Sequence, residues 1–138
     1  MLDGIVAIEH NRQTSTGPLF NELPDRFDDI FILVGAGIGC GWSGGGIVLG
    51  CFAAIAALMT AYVRALAGSL GLQQYFIGPM AKPHRMALLT LAVALSIIQT
   101  LIWHSHTIIM VSSLFLIIIG GFVTVFRRVY RSYIEIQK

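Results

Sequence analysis

Charge is scarce in this sequence. Asp, Glu, Lys and Arg make up only 12% of its residues, against about 25% in a soluble domain. With 56% hydrophobic residues and a mean hydropathy of +0.78, this shortage excludes an ordinary water-soluble domain and places the chain in the membrane class. The net charge of +2 is too small to argue for nucleic acid as a partner. Cysteine is limited to Cys40 and Cys51, in apolar or Gly-rich surroundings without metal-ligand spacing. That excludes a disulfide framework and reads as two small buried hydrophobes. No signal peptide is read at the N-terminus, which is acidic and polar rather than basic then apolar. Carboxylates are missing from most of the chain. Six of the seven lie in the first 29 positions: Asp3, Glu9, Glu22, Asp25, Asp28 and Asp29.

What remains is mostly long apolar runs. Gly17-Pro18 reads as a helix start, because Pro loses no hydrogen bond at the first helical position, and the helix can run to about Cys40. Further spans are read at 46–68, 86–103 and 107–126, with a short GWSGG turn, a polar 69–85 loop, a short HSH turn and a polar tail between and after them. A bilayer core needs about 20 apolar residues in a helix. The last three spans meet this. The first does so only if its acidic turns lie at the interface or in a cavity. The expectation is therefore an all-α membrane protein, residues 1–138 forming one domain of about four transmembrane helices in two antiparallel hairpins.

The two short turns carry no Lys or Arg, whereas the opposite side would hold Arg12, Arg64, Lys82, Arg85, Arg127, Arg128, Arg131 and Lys138. The positive-inside rule then puts the charged segments in the cytoplasm. Glycines four apart (Gly35/Gly39, Gly37/Gly41, Gly46/Gly50) read as close helix packing in lipid. The Gly-rich 35–46 stretch lacks the Lys-Ser/Thr ending of a phosphate loop. Trp42 and Trp103 read as interfacial anchors.

On a helix at 100° per residue, Asn21, Asp25 and Asp29 fall within about 80° of one another, with Asp28 beside them. Each ionised carboxylate at membrane depth costs roughly 2.5–3.5 kcal/mol, so exposure to lipid is excluded. Two readings follow. Either the acids face water or pair with Arg26 and Arg12, or divalent cations neutralise them, as hard oxygen ligands from two segments would suit. In the second reading Asp3 is the partner from across the site. Pro24 lies inside this helix and would kink it, re-aiming Asp25. Arg64, near the end of a span, either snorkels to the interface or serves a site. Lys82 and Arg85 read either as loop charges or as site residues, and Arg127, Arg128 and Arg131 as topology anchors.

These residues resemble the CDP-alcohol phosphatidyltransferase family, whose signature is DxxDGxxAR, eight residues, then GxxxDxxxD. The chain reads Asp3-Gly4, two residues, Ala7-Ile8, eight residues, Gly17, Asn21 and Asp25, with every spacing kept. RALAGSLGLQQYFIGPMAKPHRM is similar to the family's cytoplasmic loop. The chain departs from the signature at three points. The opening Asp would stand just ahead of Met1, Asn21 replaces an Asp, and Ile8 replaces the Arg. Four spans against the family's six suggest an N-terminally truncated member lacking the first helices.

The resemblance implies a multi-pass protein of the cell (inner) membrane with its active site on the cytoplasmic side. It would move a phosphatidyl or similar phospho-alcohol group from a CDP-linked lipid donor to the hydroxyl of a small phosphorylated alcohol, releasing CMP, in phospholipid biosynthesis. It implies Mg²⁺ or Mn²⁺ on Asp3, Asn21 and Asp25, and Asp25 as the base, with a pKa raised toward neutrality. It implies Gly4, Thr14 and Gly17 at the donor, Arg64, Lys82 and Arg85 at the acceptor phosphate, and a homodimer. The alternatives are a truncated or degenerate member without turnover and a small membrane transport or accessory subunit.

Overall fold

A computed structural model of the chain describes residues 17–73, 78–103 and 107–137, without the side chains of Pro18, Leu19, Asn21 and Trp103. Asp3, Gly4, Ala7, Ile8, Arg12, Thr14, His104, His106 and Lys138 therefore lie outside the described residues, as do the side chains of Asn21 and Trp103.

Among the described residues the elements are four helices: α1 (Gly17–Gly39), α2 (Gly45–Ser69), α3 (Lys82–Trp103) and α4 (Thr107–Ile136). Three of them, α2, α3 (to Ile102) and α4, are long and apolar enough to cross a membrane. The fourth expected span falls short. Glu22, Asp25, Arg26, Asp28 and Asp29 occupy the first half of α1, which leaves only the stretch from Ile30 onward apolar. The protein is thus an all-α, membrane-type bundle.

Two helix boundaries differ from the sequence expectation, and both differences matter for the site. α3 begins at Lys82 rather than at residue 86, with the first α-type bond from Arg85 N–H to the Ala81 carbonyl at 3.0 Å. Pro83 suits this opening turn, where its missing N–H leaves no bond unmade. Lys82 and Arg85 are therefore helical, not loop, residues. α4 continues about ten residues beyond the expected end at 126, because no Gly or Pro follows Gly121 to stop it.

α2 ends as its sequence dictates. Gly71, at φ 71°, lets Leu72 N–H reach back to the Ala67 carbonyl and Gly71 N–H to that of Gly68, both in 3.0–3.1 Å bonds. This closure satisfies the last carbonyls at little steric cost.

α1 and α2 form an antiparallel hairpin around Gly37, Gly46 and Gly50. A Cβ on Gly37 would stand 2.4 Å from the Gly46 carbonyl oxygen and 2.8 Å from the Gly50 Cα. Of the six paired glycines these three make the contact. Gly35 and Gly39 have open space where a Cβ would go, and Gly41 sits in the turn at φ 76°. α4 packs on α2, where Gly121 meets Ala56, and on α3. The core gathers Leu33, Cys40, Leu49, Ala53, Ala54, Ala57, Leu89, Ala92, Met110, Leu114 and Ile117. The alanine-rich face of α2 lets three helices approach one another closely. Cys40 is buried as expected, whereas Cys51 faces outward. The outward-facing Phe, Leu and Ile side chains of α2, α3 and α4 form a broad apolar surface of the kind that lipid covers.

Candidate functional site

Among the described residues the bundle directs its charged side chains to one end. α1 and α2 run antiparallel, α3 runs parallel to α1, and α4 runs parallel to α2. The start of α1, the end of α2, the start of α3 and the later turns of α4 therefore converge. Between them lies a cleft of about 290 Å³ lined by Glu22, Asp25, Arg26, Thr60, Arg64, Lys82, Arg85 and Arg128, with Ala61, Ala81 and Pro83.

Three acids of α1 each meet one cation from another helix. Glu22 accepts a hydrogen bond from Arg64 of α2. Asp25 Oδ2 lies 2.8 Å from Lys82 Nζ of α3. Asp29 Oδ2 accepts from Arg85 Nη2, also of α3, at 2.8 Å. Positions 22, 25 and 29 are spaced i, i+3, i+7, so they form one stripe along the helix. Arg26 braces the stripe from within, 3.0 Å from Glu22, 3.4 Å from Asp29 and 4.0 Å from Asp25. Asp28 lies off the stripe and is exposed.

Burial deepens along the stripe. The side chains of Glu22 and Asp25 are 48% and 46% exposed. Those of Asp29 and Arg85 are 1% and 2% exposed. This innermost pair keeps two atoms unspent: Asp29 Oδ1 and Arg85 Nε are buried without a hydrogen-bond partner among the described residues. On the far wall Arg128 Nη1 donates to the backbone carbonyl of Thr60 at 2.6 Å. The strand of chain before α3 is fixed by Met80 N–H donating to Thr124 Oγ1 of α4 at 3.1 Å, which sets the position of Lys82.

Among the described residues, and counting Asp29 behind Arg85, the cleft holds five cations and three carboxylates. The surplus of two positive charges favours an anion. Lys82, chiefly by its hydrogen bond, holds the Asp25 carboxyl below its ordinary range despite some desolvation. The raised pKa expected of a base is therefore not what the surroundings of Asp25 produce.

Of the residues singled out in the sequence, Asp25, Arg64, Lys82 and Arg85 all line this one cleft. Gly17 opens α1, and Asp3, Gly4, Thr14 and the Asn21 side chain fall outside the described residues. Arg85 is a buried ion-pair member rather than a loop charge, and Arg128 is a buried wall of the cleft rather than an anchor. Arg127 and Arg131 are exposed. Among the described residues the acidic face is ion-paired: Arg26 is among the partners, joined by three cations the sequence did not link to it. Glu22 and Thr60 also line the site unforeseen. The i, i+3, i+7 spacing of Glu22, Asp25 and Asp29 was the available signal for the first of these.

The chain was compared with protein-family models, curated proteins and solved structures. It matches none of them.

The fit of a divalent cation can be judged from the carboxylates themselves. Among the described residues no three of His, Cys, Asp and Glu converge as a ligand set. Each acid of the stripe already faces an ammonium or guanidinium. The described residues alone do not fit a metal ion.

Proposed function

We propose that the cleft binds the phosphate of a small phosphorylated alcohol at the membrane surface. We further propose that the protein is a CDP-alcohol phosphotransferase-type membrane protein that transfers a phosphatidyl or similar group to that alcohol. One observation carries the reading. Arg64, Lys82 and Arg85, which come from the ends of two separate helices, line the same cleft as Asp25, the residue at the base position of the signature. Guanidinium forks suit phosphate oxygens in paired hydrogen bonds, and an ammonium adds a point charge.

In the proposed reaction the acceptor hydroxyl oxygen forms a bond to the donor's phosphatidyl phosphorus. The bond from that phosphorus to the CMP oxygen breaks, CMP leaves, and the hydroxyl proton passes to Asp25. Arg64, Lys82 and Arg85 hold the acceptor's own phosphate and so orient its hydroxyl toward the phosphorus. A Mg²⁺ or Mn²⁺ ion belongs to the reading through Asp3, Asn21 and Asp25. Because the described carboxylates do not form its site, no step is assigned to it. The charged end is placed in the cytoplasm on the strength of the positive-inside pattern, and a homodimer is part of the same proposal.

The test is CMP release. Membranes containing the chain are given CDP-diacylglycerol, Mg²⁺ or Mn²⁺ and, in turn, glycerol phosphate or inositol phosphate. The expected result is acceptor-dependent CMP release that Asp25→Asn abolishes and Arg85→Ala reduces at least tenfold. Acceptor-dependent release that survives Asp25→Asn would refute the assignment. A second reading, a binding protein of the same type without turnover, is favoured by the 2.8 Å contact of Lys82 with Asp25. It predicts phosphate binding without CMP release.

A further inference from the structure

The α1 stripe supplies each of its carboxylates with a cation from within the protein. Glu22 takes Arg64, Asp25 takes Lys82, and Asp29 takes Arg85. The same three cations line the cleft that the functional reading gives to a phosphate. A charged group cannot serve two close partners at full strength. An anion entering the cleft must therefore compete with α1 for the cations.

The innermost pair shows that the compensation is incomplete. Arg85 is 2% exposed, lines the cleft, and keeps its Nε without a hydrogen-bond partner among the described residues. An unpaired buried donor is costly, and a guanidinium that uses Nη2 on Asp29 still has other N–H groups to offer an oxyanion.

We propose that Glu22 and Asp25 are resident counter-ions of the cleft, held against Arg64 and Lys82, and that a phosphate monoester binds by displacing them. The inference rests on the phosphate reading of the cleft and adds a competitor built into the fold. It follows that removing a carboxylate of the mouth strengthens phosphate binding, whereas a carboxylate that belongs to the binding machinery would weaken it on removal. Asp25 would then have two separable effects: necessary for turnover, opposed to binding.

The experiment is a calorimetric titration of inorganic phosphate into the full chain in phosphatidylcholine nanodiscs, at fixed ionic strength. The variants are Asp25→Asn, Glu22→Gln and Asp28→Asn. The first two side chains are about half exposed, so both variants are expected to fold, which helical circular dichroism checks. An exposed ion pair is worth up to about 1 kcal/mol, or about fivefold in affinity. Asp25→Asn and Glu22→Gln should each bind phosphate about two- to fivefold more tightly than the wild type, and Asp28→Asn should bind as the wild type does. Equal or weaker binding by both Asp25→Asn and Glu22→Gln, with the wild type binding, overturns the counter-ion proposal and leaves the phosphate reading standing. A gain in Asp28→Asn as large as in Asp25→Asn also overturns it, since net charge alone would then explain the effect. Absence of binding in every variant overturns the phosphate reading itself.

Discussion

The Asp29–Arg85 pair invites a quantitative test. Both side chains are almost wholly buried and their polar atoms lie 2.8 Å apart. At an effective dielectric constant of about 20, two unit charges at that distance attract by about 6 kcal/mol. Most of this is offset by the cost of removing them from water, so the pair's net contribution is small. Breaking it is another matter, because one charge is then buried alone, typically at a cost of about 3–5 kcal/mol. The two single replacements should not be equal. Arg85→Met leaves Asp29 with Arg26, whose Nη1 lies 3.4 Å from the same carboxylate oxygen. Asp29→Leu leaves Arg85 buried with no carboxylate in contact among the described residues. Asp29→Leu should therefore destabilise by about 3–5 kcal/mol and Arg85→Met by less, while the double variant should lie within about 2 kcal/mol of the wild type. The assay is unfolding by sodium dodecyl sulfate in mixed micelles, followed by circular dichroism. A double variant as unstable as the two single effects added together would refute the reasoning, as would Arg85→Met proving the more damaging single change.

Further outcomes follow from other contacts. Gly50→Ala should destabilise the α1–α2 hairpin by about 1–3 kcal/mol in the same assay, because the new Cβ would stand 2.7 Å from the Leu33 carbonyl oxygen; Gly35→Ala, with open space around it, should be neutral or slightly stabilising. Lys82→Ala should let Asp25 bind Mn²⁺ more tightly, read as loss of the free-ion electron paramagnetic resonance signal, and an unchanged titration would show that Lys82 does not occupy the cation's place. The depressed pKa of Asp25 sets a pH dependence. Its contribution is full above the ordinary carboxylate value and is lost only as pH falls through the lower, folded value. Lys82→Ala should thus unfold at a higher pH than the wild type during acid titration followed by circular dichroism, by a small margin because the pair is half exposed.

Much of the fold was legible in the sequence because apolar runs and Gly-rich turns are local signals. GWSGG marked the turn between α1 and α2. The boundaries that moved did so where polar residues hid a helix: KPHR begins α3, read as loop although Pro83 suits a first turn, and RRVYRSYIEI continues α4, read as tail because its charges outweighed the lack of a breaker. The cleft was half legible. Arg64, Lys82 and Arg85 stood out as cations near span ends. The pairings did not, because Glu22–Arg64, Asp29–Arg85 and Arg128–Thr60 join positions 42, 56 and 68 residues apart, and only the parallel and antiparallel order of the helices brings them together. The glycines show the same limit. Spacing named six, and the crossing point of α1 and α2 selected three.

The length of α4 fixes a depth. Its 30 residues rise about 45 Å, whereas a hydrocarbon core is about 30 Å thick. Arg128 stands 21 residues beyond Thr107 along the helix, a climb of about 32 Å. If the helix enters the oil at its first turn, the guanidinium arrives at the opposite headgroup layer. A molecule dissolved in the surrounding water and another anchored by its tails could then meet there without either one changing phase.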